Sequence, residues 1–361
     1  MGLAHSPYGW RLDPRERHVA HLLADAGYST TLVGMQHLIE RGSARELGYQ
    51  RVLPVAPADE EAIAAVALLR DLAAGGRPFY LEVGFEEPHR PYDFGGAQPD
   101  QSRGVAVPPY LPDLPEARQD LAAFQGAIRQ MDRGVGTILA ALDELGIGDS
   151  TCVVFATDHG AAMPRAKCTL YDPGIEVALL WRWPVAGLYG GRVVSELVSN
   201  VDVTPSLLDG LGVPAPAHIQ GMSFWPLLQG GGYTPRDAVF AEKTFHTYYE
   251  PMRAIRTADM KLIVNLEVST RVDVPADIRA SPIYPRMLDQ LNAVRPVVEL
   301  YDLRDDPWEQ HNLADDPKVA SVQADLRRRL LRWMQETNDP LLHGPVASPY
   351  YSAALAFLEG E

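Results

Sequence analysis

The sequence of 361 residues has little cysteine, no long apolar run and no excess of basic residues. Its two cysteines, Cys152 and Cys168, are too few for a disulfide framework. No uninterrupted apolar stretch approaches the length of about 20 residues that crosses a bilayer. The first five residues, MGLAH, do not begin a signal peptide, so the chain as written is expected to be cytoplasmic, although its compartment is not fixed by the sequence.

The balance of charge excludes two classes of partner. Lysine and arginine together number 32 against 47 acidic residues, which gives a formal net charge of −15. Nucleic acids and anionic membranes select for basic patches, so neither is expected as a partner. A small anionic substrate remains compatible with this charge if the site itself is cationic or holds a metal. A homodimer is left open.

Periodic patterns in the first two thirds of the chain predict helices that alternate with short strands. Amphipathic helices are expected at 17–26, 60–74 and 116–145, and strands at 28–34, 78–85 and 151–157. This alternation indicates an α/β sheet that is covered by helices on both faces.

The character of the sequence changes after residue 230. The Gly/Pro stretch GGGYTPRD reads as a linker, and it is followed by a late helix at 318–336 and by strand patterns at 238–243, 252–257, 260–266 and 297–303. The order predicts a small antiparallel sheet packed with one helix. We therefore expect a large α/β domain over 1–230 and a smaller α+β domain over 235–361.

Polar side chains follow the ends of the predicted strands. His37, His89 and the pair Asp158-His159 each come after an apolar run, and Lys167 stands in the next loop. Ligands of open α/β sheets lie outside the carboxyl ends of the strands. Hard divalent cations prefer oxygen ligands, and a lysine supplies a compact charge for a tetrahedral oxyanion. The strand ends therefore predict a site for an anion and a cation.

Each of these residues also has an ordinary structural interpretation. A single loop histidine is usually solvated or caps a helix, Asp158 suits a turn before Gly160, and Lys167 could be a surface lysine. The recurrence of such residues at successive strand ends favours the joint interpretation over the separate ones.

Longer stretches, taken together, are similar to one known family. In chain order they are HVAHLLADAGYSTTLVGMQH, EEPHRPY, FATDHG, KCTLYDPGIEVALLWRWP, NVDVTPSLLDGLGVP, IQGMSFWPLL, EKTFHTYYEPMRAIRTADMKLIVNL and ELYDLRDDPWEQHNLADDP. They resemble sulfatases of the alkaline-phosphatase superfamily, in particular the N-sulfoglucosamine sulfohydrolase (heparan N-sulfatase) branch. The resemblance covers almost the whole chain in family order. It implies an alkaline-phosphatase-like sheet between helices, followed by a small C-terminal domain.

The resemblance assigns a role to each of the polar residues at the strand ends. Asp158 and His159 would be metal ligands for a divalent cation, expected to be calcium, with His159 at a position where many members have asparagine. His37 and His89 would contact the sulfate or the leaving atom, and Lys167 would neutralise the sulfate.

Two residues of the second domain belong to the same expectation. Lys243 and His246 lie in a stretch that resembles a substrate-proximal part of the family, and they would reach the rim of the site. The alternative is that they are an exposed loop pair.

The sequence also departs from the family pattern. The Cys- or Ser-x-Pro-x-Arg motif, whose first residue becomes the formylglycine nucleophile, does not occur, and the Asp-Asp metal pair of the first strand is absent. Met35 stands where most relatives carry lysine. The chain is therefore expected to begin just downstream of the nucleophile segment, to bind its cation weakly, and to be impaired or inactive as written.

Three functions follow from these observations. The leading hypothesis is a hydrolase of sulfate esters or sulfamates that acts on a small sulfated substrate. The first alternative is a phosphate or phosphonate monoester hydrolase of the same superfamily. The second is a non-catalytic remnant that binds a sulfated sugar or a partner chain.

Overall fold

The computed structural model of the chain describes residues 9–40, 42–267 and 274–360. Its helices are α1 (Val19–Asp25), α2 (Ala58–Ala74), α3 (Pro115–Glu144), α4 (Asp172–Ile175), α5 (Val203–Gly210), α6 (Trp225–Leu228), α7 (Ala276–Arg279), α8 (Leu288–Leu291), α9 (Ala320–Glu336) and α10 (Pro349–Glu359). Its strands are β1 (Ser29–Gly34), β2 (Arg51–Leu53), β3 (Phe79–Gly84), β4 (Val153–Ala156), β5 (Leu179–Arg182), β6 (Val239–Phe245), β7 (Tyr249–Arg256), β8 (Met260–Asn265) and β9 (Val298–Asp302).

The N-terminal sheet is parallel, with the strand order β2-β1-β3. Gly34 at the end of β1 is opposite Gly84 at the end of β3, so both strands deliver their next residues to the same edge. The helix α2 packs its alanine-rich face on this sheet, where Val33, Ala65 and Leu68 share a buried cluster. The prediction of a sheet with helices on it is confirmed for this part of the chain.

The long helix α3 packs beside α2. It needs glycine where the backbone of another segment comes close, because a Cβ at Gly126 would lie 1.9 Å from the carbonyl oxygen of Gln98. The predicted bounds of 116–145 differ from the observed helix by one residue at each end. Among the described residues, no helix has both the length and the apolar character needed to cross a membrane.

The strands β4 and β5 form a separate antiparallel pair in which Phe155 is opposite Leu180. Phe79 of β3 and Val153 of β4 pack on the same part of α3, yet the described residues contain no ladder between these two strands. Leu180 of β5 is 60% exposed.

The C-terminal sheet is antiparallel, with the order β6-β7-β8-β9. Helix α9 packs on one face through Leu326 and Leu330, which meet Ile255 and Leu262 of the sheet. The predicted antiparallel sheet and its late helix are confirmed. The division of the chain at 230–235 stays a prediction.

One excursion of the C-terminal part reaches back to the N-terminal part. Between β8 and β9 the chain passes through α7 and α8, and it buries Ile278, Ile283 and Met287 in a cluster with Ala127 of α3 and Met163. This packing carries residues of the second half of the sequence to the strand ends of the first half.

Candidate anion-binding site

His89 lies five residues beyond β3, with its ring held in one orientation. Its Nδ1 is 2.5 Å from the carbonyl oxygen of Arg90. Because a carbonyl oxygen only accepts hydrogen bonds, Nδ1 carries the proton and Nε2 is left as the acceptor in the neutral ring. The hydrogen bond at Nδ1 therefore leaves the lone pair of Nε2 to accept a hydrogen bond from another segment of the chain.

Lys167 supplies the donor that meets this nitrogen. It stands in the loop between β4 and α4 (residues 157–171, hereafter the Lys167 loop), and its side chain is only 7% exposed. Its Nζ is 3.1 Å from Nε2 of His89 and 2.7 Å from Oδ2 of Asp277. The ammonium group therefore bridges an imidazole and a carboxylate.

Asp277 completes the group, and sequence reasoning missed it. It lies in the first turn of α7, and its Oδ2 is 3.5 Å from Nε2 of His89. Burial alone would raise the pKa of the Asp277 carboxyl, but the hydrogen bond and charge of Lys167 outweigh it and hold the pKa below its ordinary value. The carboxyl is thus an anion at neutral pH. We call these three residues the His–Lys–Asp cluster.

The cluster has a definite chemical capacity. With a neutral His89 it carries one positive and one negative charge, and the positive charge is the less exposed of the two. An incoming tetrahedral anion would take the place of the Asp277 carboxylate as a partner of Lys167. A protonated His89 would gain a donor at Nε2 and could then bind the anion or Asp277.

Asp158 and His159 lie at the end of β4, as predicted, but they do not join the cluster. The Asp158 side chain is 85% exposed, and Nε2 of His159 is 3.7 Å from its Oδ2. The His159 ring is held instead by the carbonyl oxygen of Gly160, 2.7 Å from Nδ1. No hydrogen bond or ion pair joins either residue to the cluster within the described ranges.

A metal centre is not formed by the described residues alone. They contain no group of three or more His, Cys, Asp or Glu side chains placed to hold a metal ion. Asp158 and His159 offer two donors, one of them on a largely exposed side chain, whereas Ca²⁺ takes six to eight oxygens in general. The donors present therefore do not fit a calcium ion, and the calcium assignment stays a prediction.

The remaining predicted residues occupy different surroundings. His37 is exposed and follows β1 by three residues, on the same edge of the sheet as His89. Lys243 is buried in β6, where its Nζ is 2.5 Å from Glu250 and donates to the carbonyl oxygen of Cys168 at 3.1 Å. Its interpretation as part of an exposed loop is therefore wrong. His246 follows β6 directly and is half-buried.

The Lys167 loop is held by buried charge from the C-terminal sheet. Lys261 of β8 is fully buried, and its Nζ donates to the carbonyl oxygen of Leu170 at 3.2 Å and contacts the carboxylates of Asp172 and Glu309. Burial alone would raise the pKa of Asp172, but the charges and hydrogen bonds of Lys261 and Arg256 together outweigh it and keep the pKa below its ordinary value. These contacts thus hold the Lys167 loop against β8 of the C-terminal sheet.

Two glutamates that were not predicted lie under the strand ends. Glu61 of α2 is 1% exposed, and a Cβ at Gly34 would lie 2.5 Å from its Oε1. Burial, followed by the nearby charges of other glutamates, raises the pKa of Glu61 to about 7, although a backbone hydrogen bond from Ala56 opposes the shift. Burial likewise raises the pKa of Glu87, which accepts a hydrogen bond from the backbone N–H of Ala58.

Comparison with known proteins adds an independent observation. The family model described as Sulfatase matches residues 1–213, and a second model, described as N-sulphoglucosamine sulphohydrolase, C-terminal, matches residues 165–282. Human N-sulphoglucosamine sulphohydrolase is 29% identical, in a match that covers 95% of this chain and 78% of the human protein.

Solved structures share the fold at lower identity. A 2-O GAG sulfatase matches with a TM-score of 0.69 and 22% identity, covering 94% of this chain and 78% of that one. The phosphonate monoester hydrolase of Agrobacterium radiobacter matches with a TM-score of 0.67 and 21% identity, covering 90% and 81%. At these identities the matches establish an alkaline-phosphatase-like fold and nothing further.

Proposed function

The chain belongs to the sulfatase family, and from this premise we propose that its His–Lys–Asp cluster binds the sulfate group of a small sulfated substrate. The family consists of sulfuric ester hydrolases, and the similarity to N-sulphoglucosamine sulphohydrolase supports a sulfated amino sugar, cleaved at an N–S or O–S bond. The reaction class of this chain is accordingly hydrolysis of a sulfate ester or sulfamate.

The observation that supports this proposal is the contact between Lys167 and His89. A buried ammonium group 3.1 Å from an imidazole nitrogen places a fixed positive charge beside a group that can carry a proton. Lys167 would neutralise the sulfate. His89, when protonated at Nε2, would donate to the bridging atom that leaves as an amine or alkoxide.

Binding and turnover are separate parts of the proposal. The family resemblance places the nucleophile in a Cys- or Ser-x-Pro-x-Arg motif, a pattern that the 361 residues do not contain. Nucleophilic attack on sulfur therefore has no assigned residue here. We expect residues 1–361 to bind sulfate and not to turn over at an enzymatic rate.

Sulfatases generally use a divalent metal. Because the described donors of this chain do not fit such an ion by themselves, no step of the proposal runs through it. For Asp158 and His159 we propose only that they correspond to the metal-binding segment of the family. Lys243 and His246 are proposed near the substrate through the Lys167 loop, since Lys243 binds the carbonyl oxygen next to Lys167.

The test is calorimetric titration of the protein with sodium sulfate and, separately, with N-sulfoglucosamine. Replacement of Lys167 by methionine should weaken binding about tenfold or more, because it removes one charged hydrogen bond. Lys318 is exposed in the turn just before α9 and supplies the control K318M, which should bind as the unaltered protein does. Equal affinities for all three proteins would contradict the proposal.

A phosphate or phosphonate monoester is the second candidate substrate. The structural similarity to a phosphonate monoester hydrolase favours it, since a phosphonate monoester is also a tetrahedral anion. Titration with phenyl methylphosphonate, a phosphonate monoester, beside phenyl sulfate separates the two, and tighter binding of the phosphonate would shift the assignment.

A further inference from the structure

The three residues of the His–Lys–Asp cluster come from distant segments of the chain, and one buried carboxylate ties these segments together. Asp120 lies on α3 and is 5% exposed. Its Oδ1 and Oδ2 accept hydrogen bonds from the guanidinium of Arg90 at 2.7 and 2.5 Å. Its Oδ2 also accepts the hydroxyl of Ser281 at 2.6 Å. Asp120 therefore makes three hydrogen bonds, and in the described part of the chain none of them is to the cluster itself.

Arg90 connects this carboxylate to two of the three segments. It is the residue next to His89, and its backbone carbonyl receives the Nδ1 proton of that histidine. Its guanidinium stacks 4.1 Å from the ring centre of Tyr92 and donates to the carbonyl oxygen of Ala162 at 3.3 Å. The Tyr92 hydroxyl donates to the same oxygen at 2.8 Å. Ala162 belongs to the Lys167 loop, so Arg90 joins the His89 segment to that loop.

Ser281 connects the third segment. It lies four residues beyond Asp277 and two beyond the end of α7, and it is buried. Its hydroxyl contact with Asp120 therefore fixes the end of the short helix whose first turn carries Asp277. The apolar contacts of Ile278 and Ile283 support the same placement.

We propose that Asp120 is a positioning residue for the His–Lys–Asp cluster, acting through Arg90 and Ser281. The proposal rests on the proposed function only in assuming that the cluster binds a sulfate group. The placement of the three side chains can be measured without any substrate. A bidentate, buried arginine–carboxylate pair is rigid, and a rigid support is what keeps three separate side chains at hydrogen-bonding distances.

The measurement is the tautomer of His89 in the full chain, observed by ¹⁵N NMR of labelled histidine at a pH where the ring is neutral. The signal is assigned by its loss in H89Q. A neutral histidine in water exchanges between two tautomers, whereas the structure holds His89 with its proton on Nδ1. The charged groups that face His89 are Glu86, Lys167 and Asp277.

In D120N we expect His89 to change from the single Nδ1–H tautomer to a mixture, since the amide offers Arg90 one acceptor in place of two. The matched control is D202N, because Asp202 is also buried and accepts both ends of Arg236, at 2.7 and 2.5 Å, away from the cluster. D202N should lower the melting temperature and leave the His89 spectrum unchanged.

S281A removes one hydrogen bond only and keeps the test decisive if D120N does not fold. It should increase the second tautomer of His89, though less than D120N does. A folded D120N with the original His89 spectrum overturns the proposal, as does an unchanged spectrum in S281A when D120N is unfolded. An unaltered protein without the Nδ1–H tautomer would instead contradict the site geometry on which the proposed function rests.

Discussion

The buried carboxyl of Glu61 makes the stability of the protein depend on pH in a way that one substitution isolates. Its pKa is raised from the ordinary 4.5 to about 7, mainly by burial. The folded state therefore binds this proton more tightly than the unfolded state does. The stabilising effect is fully present below pH 4.5, and it is lost as the pH rises through about 7.

The magnitude follows from the two pKa values. A difference of one pKa unit corresponds to about 1.4 kcal/mol, so the shift of Glu61 is worth about 3 kcal/mol of unfolding free energy. Glu61→Gln resembles the protonated acid in shape, and its amide oxygen can still accept the hydrogen bond from Ala56, which measures 2.9 Å. We therefore expect E61Q to match the unaltered protein near pH 4.5 and to exceed its stability by about 3 kcal/mol at pH 8.

The assay is urea-induced unfolding followed by tryptophan fluorescence at a series of pH values between 4.5 and 8. The difference between the two proteins removes the pH dependence of all other groups. Glu60 is exposed on the same turn of α2, so E60Q is the matched control and should show no pH-dependent gain. A difference between E61Q and the unaltered protein that stays flat with pH would refute the reasoning.

Three further predictions concern the cluster and its surroundings. D277N should tighten the binding of inorganic sulfate about tenfold or more by titration calorimetry, because it removes a like charge and releases Lys167; weaker binding would contradict this. K261M should lower the unfolding free energy by about 3–5 kcal/mol in thermal or urea denaturation, since Glu309 would remain buried without its cation and Asp172 would keep only Arg256; a change below about 1 kcal/mol would argue against it. Acetylation of the folded protein should modify Lys318 and spare the three buried lysines, as judged by mass spectrometry of peptides, and equal labelling of all four would show that those lysines are accessible.

The local structure of this protein could be predicted from its sequence because the patterns are strong. The β-branched run in β1 and the 30-residue periodicity of α3 each specify one type of element, and both lie within one or two residues of their predicted positions. The strand β2 was missed, since Arg51–Leu53 is too short to show an alternation. The pairing of the strands was harder to predict, because the sequence does not show that β4 pairs with β5 in an antiparallel arrangement and not with a strand of the parallel sheet.

The candidate site could be predicted only in part, and the reason is distance along the chain. His89 and Lys167 follow strands, and position after a strand is a local signal. Asp277 follows Pro275 in a short helix with no distinguishing pattern, and it reaches Lys167 only because the excursion between β8 and β9 packs on α3. Asp158 lies after β4 as expected, but its side chain is 85% exposed, so its role as a metal ligand stays a prediction.

The use of lysine in this chain points to the Lys167 loop as the place where compact positive charge is needed. The sequence has only four lysines among its 32 basic residues, and three of the four are buried. Lys167 stands in the loop itself, while Lys243 and Lys261 donate to the loop carbonyls at Cys168 and Leu170. Most exposed basic residues and the bidentate ion pairs of this chain use arginine. A lysine instead places a compact charge at the end of a flexible aliphatic side chain. Each of the three is paired with a carboxylate: Lys167 with Asp277, Lys243 with Glu250, and Lys261 with Asp172 and Glu309. An anionic ligand that binds at the loop would therefore have to compete with a carboxylate for a buried ammonium group.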